Sequence, residues 1–218
     1  MVKLNKRSFH MLILYDYFRS SASYRVRIAL NLKKLDYQLT QIHLLDDGGQ
    51  QHTAAYTQIN PQALVPCLNH DGAIITQSLS ILEYLEETFP SPALLPKERQ
   101  ARAYVRSIAQ SIACDIHPLN NLRVLNYLNK LGLPSDDKPK WVDHWLNLGL
   151  TALEKKAEKS IFRGKCFYQD QITFAEICLI PQLFNARRYH FDLTSFPFLL
   201  SIEQHCSLLP AFNAFPKE

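Results

Sequence analysis

Apolar and polar positions follow two different regimes along the chain, and the change falls near residue 90. The first regime is mixed. An apolar run from Met11 to Tyr15 reads as a strand, Ser21 to Leu32 as a helix and Tyr37 to His43 as a second strand, followed by a polar stretch. Val65 to Asn69 and Ala73 to Thr76 are two short runs flanking Asp71-Gly72, the signature of a β-hairpin. Ile81, Leu82 and Leu85 then fall on one face of a helix starting at Ser78. The predicted order is β-α-β, a linker with a short helix, then β-β-α, which describes a small α/β sheet unit.

Pro90, Pro92 and Pro96 punctuate the next residues, as where a chain leaves one packed unit for another. Beyond them the spacing is helical and predicts no strand. Ala101, Val105, Ile108, Ile112 and Ile116 mark one long amphipathic helix, and Trp141, Trp145, Leu148 and Ala152 mark the apolar face of a second. Thr173-Phe174-Ala175-Glu176 has the spacing of a capping box and predicts a helix from there to about Arg188. The expected organisation is a basic leader over 1–10, a sheet domain over 11–89, a proline-rich linker over 90–96 and an all-helical domain over 97–218.

Composition narrows the function classes. With 47% hydrophobic and 20% charged residues the chain is an ordinary globular protein with material for a sizeable core. A net charge of +4 is too small and too interspersed to favour nucleic acid, and the one terminal basic cluster is Lys3, Lys6 and Arg7. The five cysteines stand far apart without metal-ligand spacing, which argues against zinc, any other metal and a disulfide framework. No apolar run near either end approaches the roughly 20 residues that cross a bilayer, so a cytoplasmic location and no membrane partner are expected.

The densest run of chemistry is Arg19-Ser20-Ser21-Ala22-Ser23-Tyr24-Arg25, which follows the first strand and opens the first helix. Hydroxyls and unpaired N–H groups at a helix N-terminus suit an anion or a thiolate, although a serine cap with no further role accounts for the same residues. Leu64-Val65-Pro66 precedes the third strand, where a proline without a ladder donor is best explained by a cis bond that leaves the Val65 backbone to an extended peptide. Gln77-Ser78 opens the next helix, as a plain cap or as a second anion site. Two anion sites and a peptide-pairing edge at one end of a sheet would suit a small, extended thiol peptide with two carboxylates.

The residues resemble the zeta class of the glutathione transferase family. The likeness runs from Leu12 to about Leu209 and rests on YFRSSASYRVRIAL, DGGQQ, INPQALVP, TQSLSILEYLEE and IACDIHPLNNLRVL. It implies a thioredoxin-like domain followed by an α-helical domain, and glutathione as cofactor. By motif, glutathione would lie against Ser20, Ser21, Ala22, Ser23, Tyr24, Arg25, Gln51, Val65, Gln77 and Ser78, with the segment from His117 to Arg123, chiefly His117, Asn121, Leu122 and Arg123, completing the pocket. Two departures stand out. Many members carry Cys at the position of Ala22, and some carry Gln at that of His117, whose imidazole ordinarily titrates near neutrality; a side chain packed beside Pro118 is the alternative for His117.

The activity implied is the cis–trans isomerisation of maleylacetoacetate to fumarylacetoacetate, in tyrosine and phenylalanine breakdown, through reversible addition of the glutathione thiolate. Bringing a thiol of pKa about 8.5 into use near neutrality takes roughly two units, or about 2.7 kcal/mol. A helix N-terminus supplies about 0.3–1 kcal/mol and a hydrogen bond to a charged acceptor about 1.5–3. The dipole alone is too weak, which makes Ser20 the expected donor to the thiolate and Ser21 its neighbour; Tyr15 and Tyr17 are the rivals. For the substrate carboxylates the expected cation is Arg188, ahead of Arg187, although both suit the C-terminal end of a helix. The resemblance also implies a homodimer. Alternatives are a maleylpyruvate isomerase, a general transferase acting on halogenated acids, and a non-enzymatic protein-binding module, which would be expected to lack Ser20, Val65-Pro66 or Gln77-Ser78.

Overall fold

The computed structural model describes residues 11–213, so the leader expected over 1–10 lies outside the described residues. In chain order the elements are β1 (Leu12–Asp16), α1 (Ser21–Leu32), β2 (Gln38–Gln41), α2 (Ala54–Ile59), β3 (Cys67–His70), β4 (Ala73–Thr76) and α3 (Ser78–Thr88). The helices α4 (Arg99–Gln110), α5 (Leu122–Lys130), α6 (Asp137–Glu158), α7 (Phe174–Arg188) and α8 (Pro197–Ser207) follow. The strands form one sheet of order β2-β1-β3-β4, with β1 parallel to β2 and antiparallel to β3, and β3 antiparallel to β4. This is a thioredoxin-like sheet followed by a helical region, the fold class expected from the sequence.

The reasons are local first. Leu12, Leu14 and Asp16 alternate inward along β1, and β3 and β4 close the expected hairpin across Asp71-Gly72. Helix α1 makes the crossover between the parallel strands and packs on both α3 and α7. Being covered on two sides, it buries nearly every residue from Ser23 to Leu30, polar ones included. Helix α7 is buried almost all round between α1 and α4. Its start is held as the sequence predicts: Thr173 Oγ1 accepts from Ala175 N (3.3 Å), and Glu176 accepts from Thr173 N (2.8 Å) and Phe167 N (2.9 Å).

The sheet unit is latched to the segment that leaves it. Buried Lys33 Nζ donates to Glu86 Oε2 (2.8 Å), Phe89 O (2.7 Å) and Pro92 O (2.9 Å). The Glu86 carboxylate in turn accepts from Leu94 N (3.0 Å) and Leu95 N (3.2 Å). Every polar group of the pair is therefore partnered, the condition under which a buried charge pair is tolerated.

Two expectations for the helical half need correction. The long helix through Ile116 is α-helical only to Gln110 and continues as a π-helical turn, Ser111–Ile116. Successive four-residue steps drift about 40° around an α-helix, and the wider turn keeps Ile112 and Ile116 buried on the same side as Ile108. In α6 the helix is as expected but the buried face is not. Val142, Leu146, Leu150, Leu153 and Ala157 point inward, while Leu148 is 57% exposed and Trp141 and Trp145 are half-buried. Trp141 stays at the margin of the aliphatic stripe with its polar edge satisfied, Nε1 donating to Leu119 O (2.8 Å), whereas Trp145 Nε1 is buried without a partner among the described residues. Among the described residues no helix is long and apolar enough to cross a membrane.

Candidate active site

Beyond the C-terminal end of β1, between the sheet and the helical half, lies a cleft of about 250 Å³. Ser20, Ser21, Gln51 and Val65 line it from the sheet side, and His117, Asn121, Leu122, Arg123 and Arg188 from the helical side. Residues more than 160 positions apart in the sequence thus share one wall-to-wall site: Arg188 Nη1 lies 3.4 Å from the carbonyl oxygen of Arg19.

Ser20 caps α1, its Oγ accepting from Ser23 N at 3.2 Å. A hydroxyl that accepts through a lone pair keeps its proton to donate, so the cap and a donor role toward a ligand are compatible. Ser21, 4% exposed, follows on the first helical position. Gln51 is folded back under Gly49, whose φ of +97° is open to glycine and where an added Cβ would meet the Gln51 amide. Its Nε2 donates to Leu44 O (3.3 Å), while its buried Oε1 has no partner among the described residues. The Val65-Pro66 peptide is cis, as expected.

Other residues expected at the site lie next to this lining. Ala22, Ser23, Tyr24, Arg25, Gln77 and Ser78 are absent from it. Tyr24 Oη donates instead to Phe212 O (2.5 Å), and burial pushes its pKa up to about 12. Arg25, 1% exposed, donates through Nη1 to Ser78 Oγ (3.1 Å), so the first motif and the Gln77-Ser78 pair are joined beneath the site. Gln77 Nε2 holds Gln62 Oε1 (2.8 Å) at the cleft rim.

On the helical side, Asn121 caps α5 by accepting from Arg123 N (3.1 Å). His117 sits at the end of the π-helical turn, and burial, with Arg25 and Arg123 nearby, lowers its pKa to about 3. The expectation that it titrates near neutrality is therefore corrected: the imidazole is neutral throughout the working range. Arg187 and Arg188 are separated by the fold. Arg187 forms a bidentate pair with Glu203 (2.6 and 2.7 Å) away from the cleft, and Arg188 turns into it. The rival tyrosines also part company, since Tyr17 lines the cleft whereas Tyr15 packs edge-on against Tyr56 in a separate groove.

Sequence reasoning passed over several lining residues, among them Asn185 and Tyr189. Asn185 had a signal, standing three residues before Arg188 and hence on the same helix face.

Residues 14–93 match the glutathione S-transferase N-terminal domain family. A probable maleylacetoacetate isomerase of Vibrio cholerae serotype O1 is 44% identical over 202 residues, 92% of this chain and 93% of that protein. A maleylacetoacetate isomerase of Methylobacterium extorquens AM1, solved with bound malonate and glutathione, superposes with a TM-score of 0.89 at 38% identity, covering 94% and 96% of the two chains. A bacterial zeta-class transferase, maleylpyruvate isomerase in its holo form, gives 0.90 at 38% over the same shares. The chain belongs to the glutathione transferase family. Its relatives set it in the zeta class, beside the maleylacetoacetate isomerases.

Proposed function

We propose that this protein is a glutathione-dependent isomerase that converts maleylacetoacetate to fumarylacetoacetate, a step of tyrosine and phenylalanine breakdown. One observation carries the reading: the hydroxyl at the start of α1 and the Arg188 guanidinium meet across one cleft, with Arg188 on the carbonyl of the residue preceding Ser20. An anionic nucleophile and a carboxylated electrophile are both provided for at that point.

The residues present fit glutathione. Gln51 offers a buried, unpartnered Oε1, the Ser20 hydroxyl has a proton to donate, and Val65 brings a backbone edge to the cleft. Bound glutathione supplies a thiolate that adds reversibly to the cis double bond, leaving a single bond that rotates before the thiolate departs. Ser20, with Ser21 beside it, donates to the sulfur and lowers its pKa. Neutral His117 hydrogen-bonds the peptide without changing charge, and Asn121, Leu122 and Arg123 close the pocket. Arg188 grips a substrate carboxylate and keeps its charge at every relevant pH.

Residues 11–89 hold glutathione in this reading, and 97–218 shape the electrophile's side. The expected form is a cytoplasmic homodimer; light scattering that gives the mass of one chain would refute the dimer. Initial rates with maleylacetoacetate and with maleylpyruvate, each with and without glutathione, test the activity. Faster turnover of maleylacetoacetate that depends on glutathione is expected, and a preference for maleylpyruvate would overturn the assignment.

A further inference from the structure

Four successive carbonyl groups run through the turn that leads from β1 into α1, and each has its own donor. Tyr17 O accepts from Ser20 N (2.9 Å) and Ser20 O from Tyr24 N (2.9 Å), the bonds of a turn and of the first helical turn. The two between them are taken by arginines. Arg27 Nη2 donates to Phe18 O (3.2 Å) from within α1, and Arg188 Nη1 lies 3.4 Å from Arg19 O on the cleft side. Tyr17, Arg19 and Ser20 all line the cleft, so this turn is both connection and cleft wall.

Arg27 is itself fixed. Its Nη1 donates to Asp16 Oδ1 (2.5 Å), and its guanidinium lies over the Tyr24 ring, 5.3 Å from the centroid. Asp16 ends β1, and its backbone oxygen accepts from Ile42 N (2.7 Å). The two side chains are 7% and 2% exposed. A charge pair buried this deeply adds little stability over well-packed apolar side chains, so its use lies in the geometry that it fixes. Here one planar group ties the end of β1, the turn and α1 together.

We propose that Arg27, held by Asp16, is a positioning residue that fixes the Tyr17–Ser20 turn and so aims the Ser20 hydroxyl at the thiolate. The inference rests on the reading that Ser20 donates to the glutathione sulfur. Arg27 is absent from the cleft lining and acts through the turn alone. The Ser20 cap bond to Ser23 N secures one side of that residue, and the turn secures the other. A fixed donor stabilises a charge without reorganising, and a displacement of about 1 Å can cost about a hundredfold in rate. Arg27 has a second effect, by charge: it offsets the buried Asp16 carboxylate, which would otherwise oppose a thiolate nearby.

The test is a double-mutant cycle on the full chain between Arg27→Lys and Ser20→Gly, read by ultraviolet titration of bound glutathione. Lysine keeps the charge beside Asp16 but replaces the planar fork by a point charge. Arg27→Lys should raise the pKa of the bound thiol by about half to one unit and lower kcat for isomerisation about tenfold, with glutathione affinity changed less than about twofold. In the Ser20→Gly background the same change should move the thiol pKa no further, because the hydroxyl that Arg27 positions is gone. Where lysine is not accommodated, the paired replacement of Arg27→Met with Asp16→Asn leaves no unmatched charge and is read in the same way. A thermal midpoint that falls while the thiol pKa stays at its parental value overturns the inference, as does a rise that persists undiminished without the Ser20 hydroxyl. The titration needs no electrophile, so its outcome is independent of which substrate is turned over. If Ser20→Gly alone leaves the thiol pKa unmoved, the Ser20 reading fails and this inference with it; failure of the Arg27 variants alone leaves that reading standing.

Discussion

Replacing Ser20 by Ala removes two hydrogen bonds that have different consequences. The first is the cap, Ser23 N to Ser20 Oγ at 3.2 Å, worth about 1 kcal/mol of stability within a range of about 0.5–2. The second, in the proposed function, is the donor to the thiolate, worth about 1.5–3 kcal/mol because the acceptor is charged, which corresponds to about one to two pKa units. Ser20→Gly separates them. Glycine caps a helix at a cost of a few tenths of a kcal/mol yet has no hydroxyl. Both variants should therefore raise the pKa of bound glutathione by about one to two units and lower turnover near neutrality by one to two decades, while only the Ala variant loses the cap energy in denaturant unfolding. Ultraviolet titration of the bound thiolate reads the first effect and glutathione affinity should change far less. An unchanged thiol pKa in both variants refutes Ser20 as the activator and makes Tyr17, which lines the cleft, the next residue to test.

Arg188→Leu should raise KM for the dianionic substrate tenfold or more, with glutathione affinity and thermal midpoint nearly unchanged, because its one hydrogen bond within the described residues is a long one of 3.4 Å; steady-state kinetics at saturating glutathione decide it. Glu86→Gln should cost about 3 kcal/mol or more, since it leaves the buried Lys33 ammonium without its counter-charge, and an unfolding curve shifted by less than about 1 kcal/mol would show the latch to be dispensable. His117→Gln should reduce acid sensitivity. With its pKa lowered to about 3 in the fold against about 6.5 unfolded, His117 binds more protons when unfolded across that window. The parent therefore loses stability as pH falls from about 6.5, by at most about 1.4 kcal/mol per unit from this group, and identical profiles for parent and variant would refute the assignment.

What the sequence by itself determined was whatever local hydrogen bonds and periodicity control. The N-cap at Ser20, the hairpin across Asp71-Gly72, the cis turn at Val65-Pro66 and the capping box at Thr173 each depend on residues a few positions apart, and each stands where the pattern put it. The tertiary structure decided what depends on neighbours distant in the chain. Which face of α6 is buried was set by the elements it packs on, and the aliphatic stripe from Val142 to Ala157 took it. Adjacent Arg187 and Arg188 look alike in sequence, yet Glu203 takes one and the cleft the other, because successive helix residues point about 100° apart. Arg25 and Ser78, 53 positions apart, became partners because α1 packs on α3. The neutral state of His117 and the unpaired amide atoms of Asn120 and Asn185 Oδ1 arise only in the packed structure, because burial, and not residue type, lowers that pKa and withholds water from those atoms.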